Sequence, residues 1–171
     1  LLCNTYEEAE KYFETYHETV LGVISDIEFP VRGKKDERAG VTFADMIRRK
    51  HPDIPVLFNS SSLKHKDTVE NLGYHFMEKN PQTMLNDVSS FILNYFGFGN
   101  FEFRTPDGKK ITEADNLLSL EQKLKSIPDE SFRFHAENNH FSNWLKARTE
   151  FWLAHELRPK RISDFSSIEE T

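Results

Sequence analysis

The chain is 171 residues long, 37% hydrophobic and 29% charged, enough material for one large core or two small ones. Its net charge of −6 offers no basic footprint for a nucleic-acid backbone or an anionic membrane surface. No apolar run approaches the roughly 18 residues of a spanning helix, and Cys3, the one cysteine, can form neither an internal disulfide nor a thiolate metal cage, which points to a reducing cytoplasm.

Leu1-Leu2-Cys3 reads as the end of an apolar strand already under way, so the chain looks cut from something longer. Asn4 or Thr5 then caps a helix over 7–18, whose apolar positions Ala9, Tyr12, Phe13 and Tyr16 follow helical spacing. Residues 20–25 are continuously apolar and β-branched, as expected of a strand buried on both faces, and Asp26 ends it. Pro30, Gly33, Gly40 and a charge run predict a surface loop over 27–40. Its mixed-sign charges, Arg32 to Arg38, suit a solvated loop; a basic clamp over Asp26 is the competing reading. Phe43, Ala44 and Ile47 make a helix that stops before Pro52, and 55–58 is the next strand. After Asn59-Ser60-Ser61-Ser62 a polar helix covers 64–72, closed by Gly73 as a left-handed cap. A last strand covers 74–77, and Pro81 opens a helix over 82–96 with Met84, Leu85, Val88, Phe91, Ile92 and Tyr95 as its inner face.

Gly97-Phe98-Gly99 marks a boundary, beyond which Phe101-Glu102-Phe103-Arg104 alternates like a half-buried strand and Pro106-Asp107-Gly108 signals a turn. Lys110 and Ile111 return as the second strand. A helix over 119–127 follows, then a turn at Pro128-Asp129-Glu130-Ser131, then one amphipathic helix over 141–157 with Trp144 and Trp152 in the core. Phe96, Phe98, Phe101 and Phe103 are expected to join the two halves. The division is therefore a truncated α/β domain at 1–97, a small α+β domain at 98–160, and a tail or linker at 161–171. His135, His140 and His155 are spaced too unevenly for one helical metal face, and His140 and Asn143 are expected to hydrogen-bond near a helix start instead.

Strands alternating with helices over 1–97 predict a parallel sheet. Asp26, Ser60 and Lys79 stand at the ends of three successive strands, and ligands of open parallel sheets gather at the carboxyl ends. A carboxylate, a hydroxyl and an ammonium meeting there suit phosphoryl chemistry. The competing reading is that strand ends in such folds are simply polar. A hydrolase built on the same three residues lacks a histidine base or a nucleophile elbow.

These residues are where a family likeness appears. Residues 1–96 resemble the receiver domain of bacterial response regulators, a flavodoxin-like parallel sheet here lacking its first strand. The resemblance implies Asp26 as phosphoacceptor, Ser60 and Lys79 as phosphate contacts, and Phe76 as the switch aromatic. It also implies Mg²⁺ at Asp26 and the backbone carbonyl of Glu28, provided that the acidic pair receivers take from their first strand lies upstream. Gly22-Val23-Ile24-Ser25-Asp26, Phe96-Gly97-Phe98-Gly99, Pro106-Asp107-Gly108, Pro128-Asp129-Glu130-Ser131 and His140-Phe141-Ser142-Asn143-Trp144-Leu145 together look like the region ahead of the nucleotide-binding domain in bacterial phosphoenolpyruvate synthase or pyruvate phosphate dikinase-like proteins. That likeness implies a non-catalytic regulatory or interaction module, with no cofactor of its own and other domains of the same polypeptide as partners. A homodimer stays open, and neither nucleic acid nor membrane is expected. The alternative is a phosphorylatable receiver of a signalling pathway.

Overall fold

Helix α1 (Tyr6–Tyr16) begins where the sequence supplies a cap: Thr5 Oγ1 accepts from Glu8 N at 3.3 Å, and Glu8 returns a carboxylate to Asn4 N at 2.8 Å. The computed structural model describes residues 1–158 and 160–166; of the expected tail, 167–171 lie outside them. The chain divides into two units, Leu1–Phe91 and Ile92–Thr171. Both mix helix with strand.

The first unit holds a three-stranded parallel sheet in the order β1 (Val23–Ser25), β4 (Val56–Ser60), β5 (His75–Glu78). Its register pairs Ile24 with Leu57 and Leu57 with His75, so side chains alternate between two faces in common rows. One face carries Val23, Val56, Phe58 and Phe76, packed with Phe13 of α1, Val41, Phe43 and Ile47 of α2 (Ala39–Lys50) and Val69 of α3 (Lys66–Asn71). The other face meets α4 (Met84–Tyr95), where the Phe91 ring stands 5.2 Å from His75. Ile24, on that second face, is 44% exposed. The expected burial of this strand on both faces is thus corrected, because β1 is the sheet's terminal strand and α4 covers the β5 side.

Two further expectations fail for one reason, the need for a partner. Leu1–Asn4 form no strand, and Leu1 and Leu2 are exposed; among the described residues β1 pairs with β4 alone, and an unpaired strand is not stable. Helix α4 starts at Met84, after a turn in which the Asn80 carbonyl accepts from Thr83 N and Met84 N. Of its expected inner face Phe91 alone is buried, and Leu85 is 79% exposed.

The segment 27–40 is not a loop. Phe29–Val31 (β2) and Lys34–Asp36 (β3) form an antiparallel hairpin, with Arg32 (φ 50°) and Gly33 (φ 76°) as its two-residue turn. Two successive positive φ values match the twist of the flanking strands, which is why such turns close tight hairpins. Arg32 N donates to Glu7 Oε1 at 2.7 Å and ties the turn to α1. A short 3₁₀ turn, Leu63–His65, leads into α3, which closes as expected with Gly73 left-handed (φ 77°) and Tyr74 N bonded to the Val69 carbonyl at 3.1 Å.

In the second unit β6 (Phe101–Arg104) and β7 (Lys110–Ala114) pair antiparallel, with a register shift between Phe103 and Arg104. Four helices follow: α5 (Leu117–Leu124), capped by a reciprocal Asn116–Ser119 box, then α6 (Asp129–Glu137), α7 (His140–Lys146) and α8 (Phe151–Leu157). Phe101, Phe103, Ala114, Leu120, Trp144, Leu145 and Ala154 make the core. The single helix expected over 141–157 is two. Thr149 (φ 63°) takes the left-handed position after α7, with Glu150 N bonded to the Leu145 carbonyl and Thr149 N to that of Lys146, the double bond of a helix stop usually built on glycine. The break rotates α8, so Trp144 is buried as expected while Trp152 is 75% exposed.

Candidate functional site

The sheet brings the three singled-out residues to one rim. Asp26 is the first residue after β1, Ser60 the last of β4 and Lys79 the first after β5, on three adjacent parallel strands. Lys79 Nζ donates to Asp26 Oδ2 at 2.5 Å, across the end of the intervening strand. Lys79 N donates to the Ser60 carbonyl at 2.9 Å, which fixes the lysine's backbone beside β4. The Ser60 hydroxyl, buried, accepts from Ser62 N at 3.2 Å and so serves its own turn. It joins the cluster by position and main chain. The side chains of Asp26 and Lys79 are 43% and 39% exposed, open to a small solute.

Asp26 is held from several directions. Its Oδ1 accepts from Ile27 N at 3.0 Å and its carbonyl from Ser25 Oγ at 2.7 Å. Gly40, in the first turn of α2, donates its N–H to the Ile27 carbonyl at 2.9 Å, and a Cβ there would lie 2.2 Å from the Asp26 carbonyl oxygen. Only glycine lets α2 approach the rim this closely.

The hairpin delivers a second polar group. Lys35 Nζ lies 2.6 Å from Glu28 Oε2, and His65 Nε2 lies 3.5 Å from Glu28 Oε1. The hydrogen bond from Lys35 holds the Glu28 carboxyl below the usual carboxylate range. Lys35 is held above the usual ammonium range, first by its bond to Glu28 and Glu28's charge, with Glu37 and Asp26 adding to the pull. Sequence reasoning reached Lys35 only as a member of the Arg32–Arg38 run, in the clamp reading, and missed His65. The signal for its placement was Arg32-Gly33, a two-residue turn between Phe29-Pro30-Val31 and Lys34-Lys35-Asp36, read as part of a loop.

These carboxylates do not fit Mg²⁺ by themselves. Asp26 accepts from Ile27 N and Lys79, and the Glu28 carboxylate, as distinct from the backbone carbonyl expected to face Mg²⁺, lies 2.6 Å from Lys35 Nζ and 3.5 Å from His65 Nε2. Among the described residues no three His, Cys, Asp or Glu side chains come together to hold a cation, whereas a hard divalent ion needs several oxygen ligands. Phe76, in register with Phe58, packs half-buried against the first unit's core three residues before Lys79.

In the second unit His135 and His140 do meet, Nδ1 to Nδ1 at 2.9 Å, but their proton arrangement suits a structural pair. The Arg104 N–H donates to His135 Nε2 at 2.8 Å, so the proton of His135 is on Nδ1 and points at His140 Nδ1, which must accept it. A metal on His135 Nδ1 would put a proton on Nε2, facing the Arg104 N–H. Ser131 Oγ donates to the Arg104 carbonyl at 2.8 Å, so α6 satisfies both main-chain groups of this residue at the end of β6. Nearby, Trp144 Nε1 donates to the Gly99 carbonyl at 3.1 Å and Arg148 stacks 3.5 Å over the Trp144 ring, which anchors the 97–99 segment to α7.

No helix among the described residues is long and apolar enough to cross a membrane. No family model, no curated protein and no solved structure matches this chain.

Proposed function

We propose that this chain is a non-catalytic regulatory module whose first unit is a receiver-like, flavodoxin-type domain with Asp26 as the phosphoryl-accepting carboxylate. Its place is within a cytoplasmic protein of the phosphoenolpyruvate synthase or pyruvate phosphate dikinase-like kind, and its partners are other domains of that polypeptide. The carrying observation is the Lys79–Asp26 ion pair spanning the carboxyl ends of β5 and β1, with Ser60 ending the strand between. A carboxylate oxygen is poised for attack, and an adjacent ammonium can hold an oxygen of the incoming phosphoryl group. The exposure of both side chains favours, as the second reading, a receiver phosphorylated from a soluble donor in a signalling pathway.

Incubation with phosphoramidate in Mg²⁺ buffer, followed by intact-mass measurement, tests the assignment. The expected result is one hydroxylamine-labile phosphoryl group per chain, absent from Asp26→Asn, with donor consumption stopping at that stoichiometry. Equal labelling of Asp26→Asn would remove Asp26 from the role, and sustained donor turnover would make the chain an enzyme.

A further inference from the structure

We propose that a phosphoryl group at Asp26 is neutralised by two ammonium groups, Lys79 and Lys35, in place of a divalent cation. The inference rests on the reading of Asp26 as a phosphoryl-accepting carboxylate and deepens it. The starting observation is that two carboxylates at the rim are bridged to cations of the chain itself: Asp26 to Lys79 at 2.5 Å, and Glu28, two residues on, to Lys35 at 2.6 Å. Register places Lys35 opposite Pro30 on the hairpin that leaves the sheet directly after Asp26, and its bond to Glu28 holds its ammonium beside a residue two positions from the phosphoryl-accepting carboxylate. The Lys35 side chain is 70% exposed, so its ammonium can turn from Glu28 to a new anion without unpacking the fold.

The charges balance. An Asp26 oxygen attacks phosphorus of zwitterionic phosphoramidate, forming the O–P bond as the P–N bond breaks and ammonia leaves. The single negative charge of the carboxylate becomes a dianionic acyl phosphate. One ammonium matches the carboxylate and two match the dianion, so the added charge is what draws Lys35 off Glu28. His65 Nε2, 3.5 Å from the other Glu28 oxygen, lies beside the carboxylate that Lys35 leaves.

Labelling by phosphoramidate is compared in excess EDTA and in Mg²⁺, on the whole chain and on two exposed-site variants. The expected result is a similar rate in both media, about tenfold lower for Lys35→Ala, the scale of one charge-assisted hydrogen bond to phosphate. Glu28→Gln, which frees Lys35 beforehand, is expected to label about threefold faster, the scale of one exposed ion pair. A gain of rate is a result that a merely structural Lys35 would not give. Labelling that needs Mg²⁺ would overturn the two-ammonium assignment and leave Asp26 as acceptor. An unchanged rate in both variants would overturn it as well, whereas no labelling in either medium would remove the acceptor reading beneath it.

Discussion

Gly40→Ala is expected to destabilise the first unit by about 3 kcal/mol, the scale of a forced overpacking at a rigid contact. At an unconstrained helical position the same change stabilises by about 1 kcal/mol, because alanine is the better helix former. The sign therefore reports which effect wins. The new Cβ would meet the Asp26 carbonyl oxygen at 2.2 Å and the Ile27 Cα and Phe58 ring at 3.0 Å. Two of the three are main chain, and Ile27 and Phe58 are fully buried, so nothing flexible can yield. Either α2 or the Asp26 backbone must move, and the second takes the carboxylate away from Lys79. Both tryptophans, Trp144 and Trp152, lie in the second unit, so the loss should show in urea unfolding followed by far-ultraviolet ellipticity and leave the tryptophan transition in place. Labelling at Asp26 should fall with it. Gly33→Ala is the control: nothing lies within 4 Å of its Cβ, and φ 76° alone should cost about 1 kcal/mol. A stabilised Gly40→Ala chain would mean that the helix does not press on the rim as described.

How far the sequence foretells this arrangement depends on the range of the interaction involved. The α/β character, the caps at Thr5 and Gly73, and the strand-end positions of Asp26, Ser60 and Lys79 are local signals, and each appears where the residues indicate. The pairing of Lys79 with Asp26 needed one more step, the order in which parallel strands lie side by side, which short strand–helix–strand connections strongly restrict. What escaped was set by context. Leu1–Cys3 carries strand-like residues with no strand beside it, α4 is apolar on faces that its own unit does not cover, and Thr149 breaks a helix without glycine or proline to announce it. The hairpin at 29–36 was disguised by its own charge: Lys34, Lys35 and Asp36 read as solvent-loving loop, yet β3 is exposed throughout and pairs through its main chain. That misreading left Lys35 as one unplaced charge of the Arg32–Arg38 run, because a lysine in a loop has no defined position, whereas one opposite Pro30 in a two-residue hairpin does.

Mild acid is expected to destabilise the second unit through His135. Burial first, then the charges of His140 and Arg104, push its pKa from 6.5 down to about 4, and burial likewise lowers that of His140, with Arg104 adding to it. Because the folded value lies below the unfolded one, the unfolded chain binds the proton first as pH falls. Stability is thus complete above about pH 6.5, declines between 6.5 and about 4, and loses nothing more from this residue below that. Over that span, at about 1.4 kcal/mol per pH unit, the loss is about 3 kcal/mol. The structural cause is explicit: His135 can accept from the Arg104 N–H and donate to His140 only while neutral, so a second proton sets two donors against each other at Nε2. Carboxylates contribute too as pH falls further, among them Glu102, held low chiefly by Arg104 and then Lys110. A variant separates the two. In His135→Gln a side-chain carbonyl can still accept from Arg104 N but takes up no proton, so its urea midpoint, read by tryptophan fluorescence, should be lower at pH 7 and fall less steeply from pH 7 to 5 than the parent chain's, the remaining slope coming from His140. Parallel slopes for variant and parent would place the acid sensitivity elsewhere in the unit.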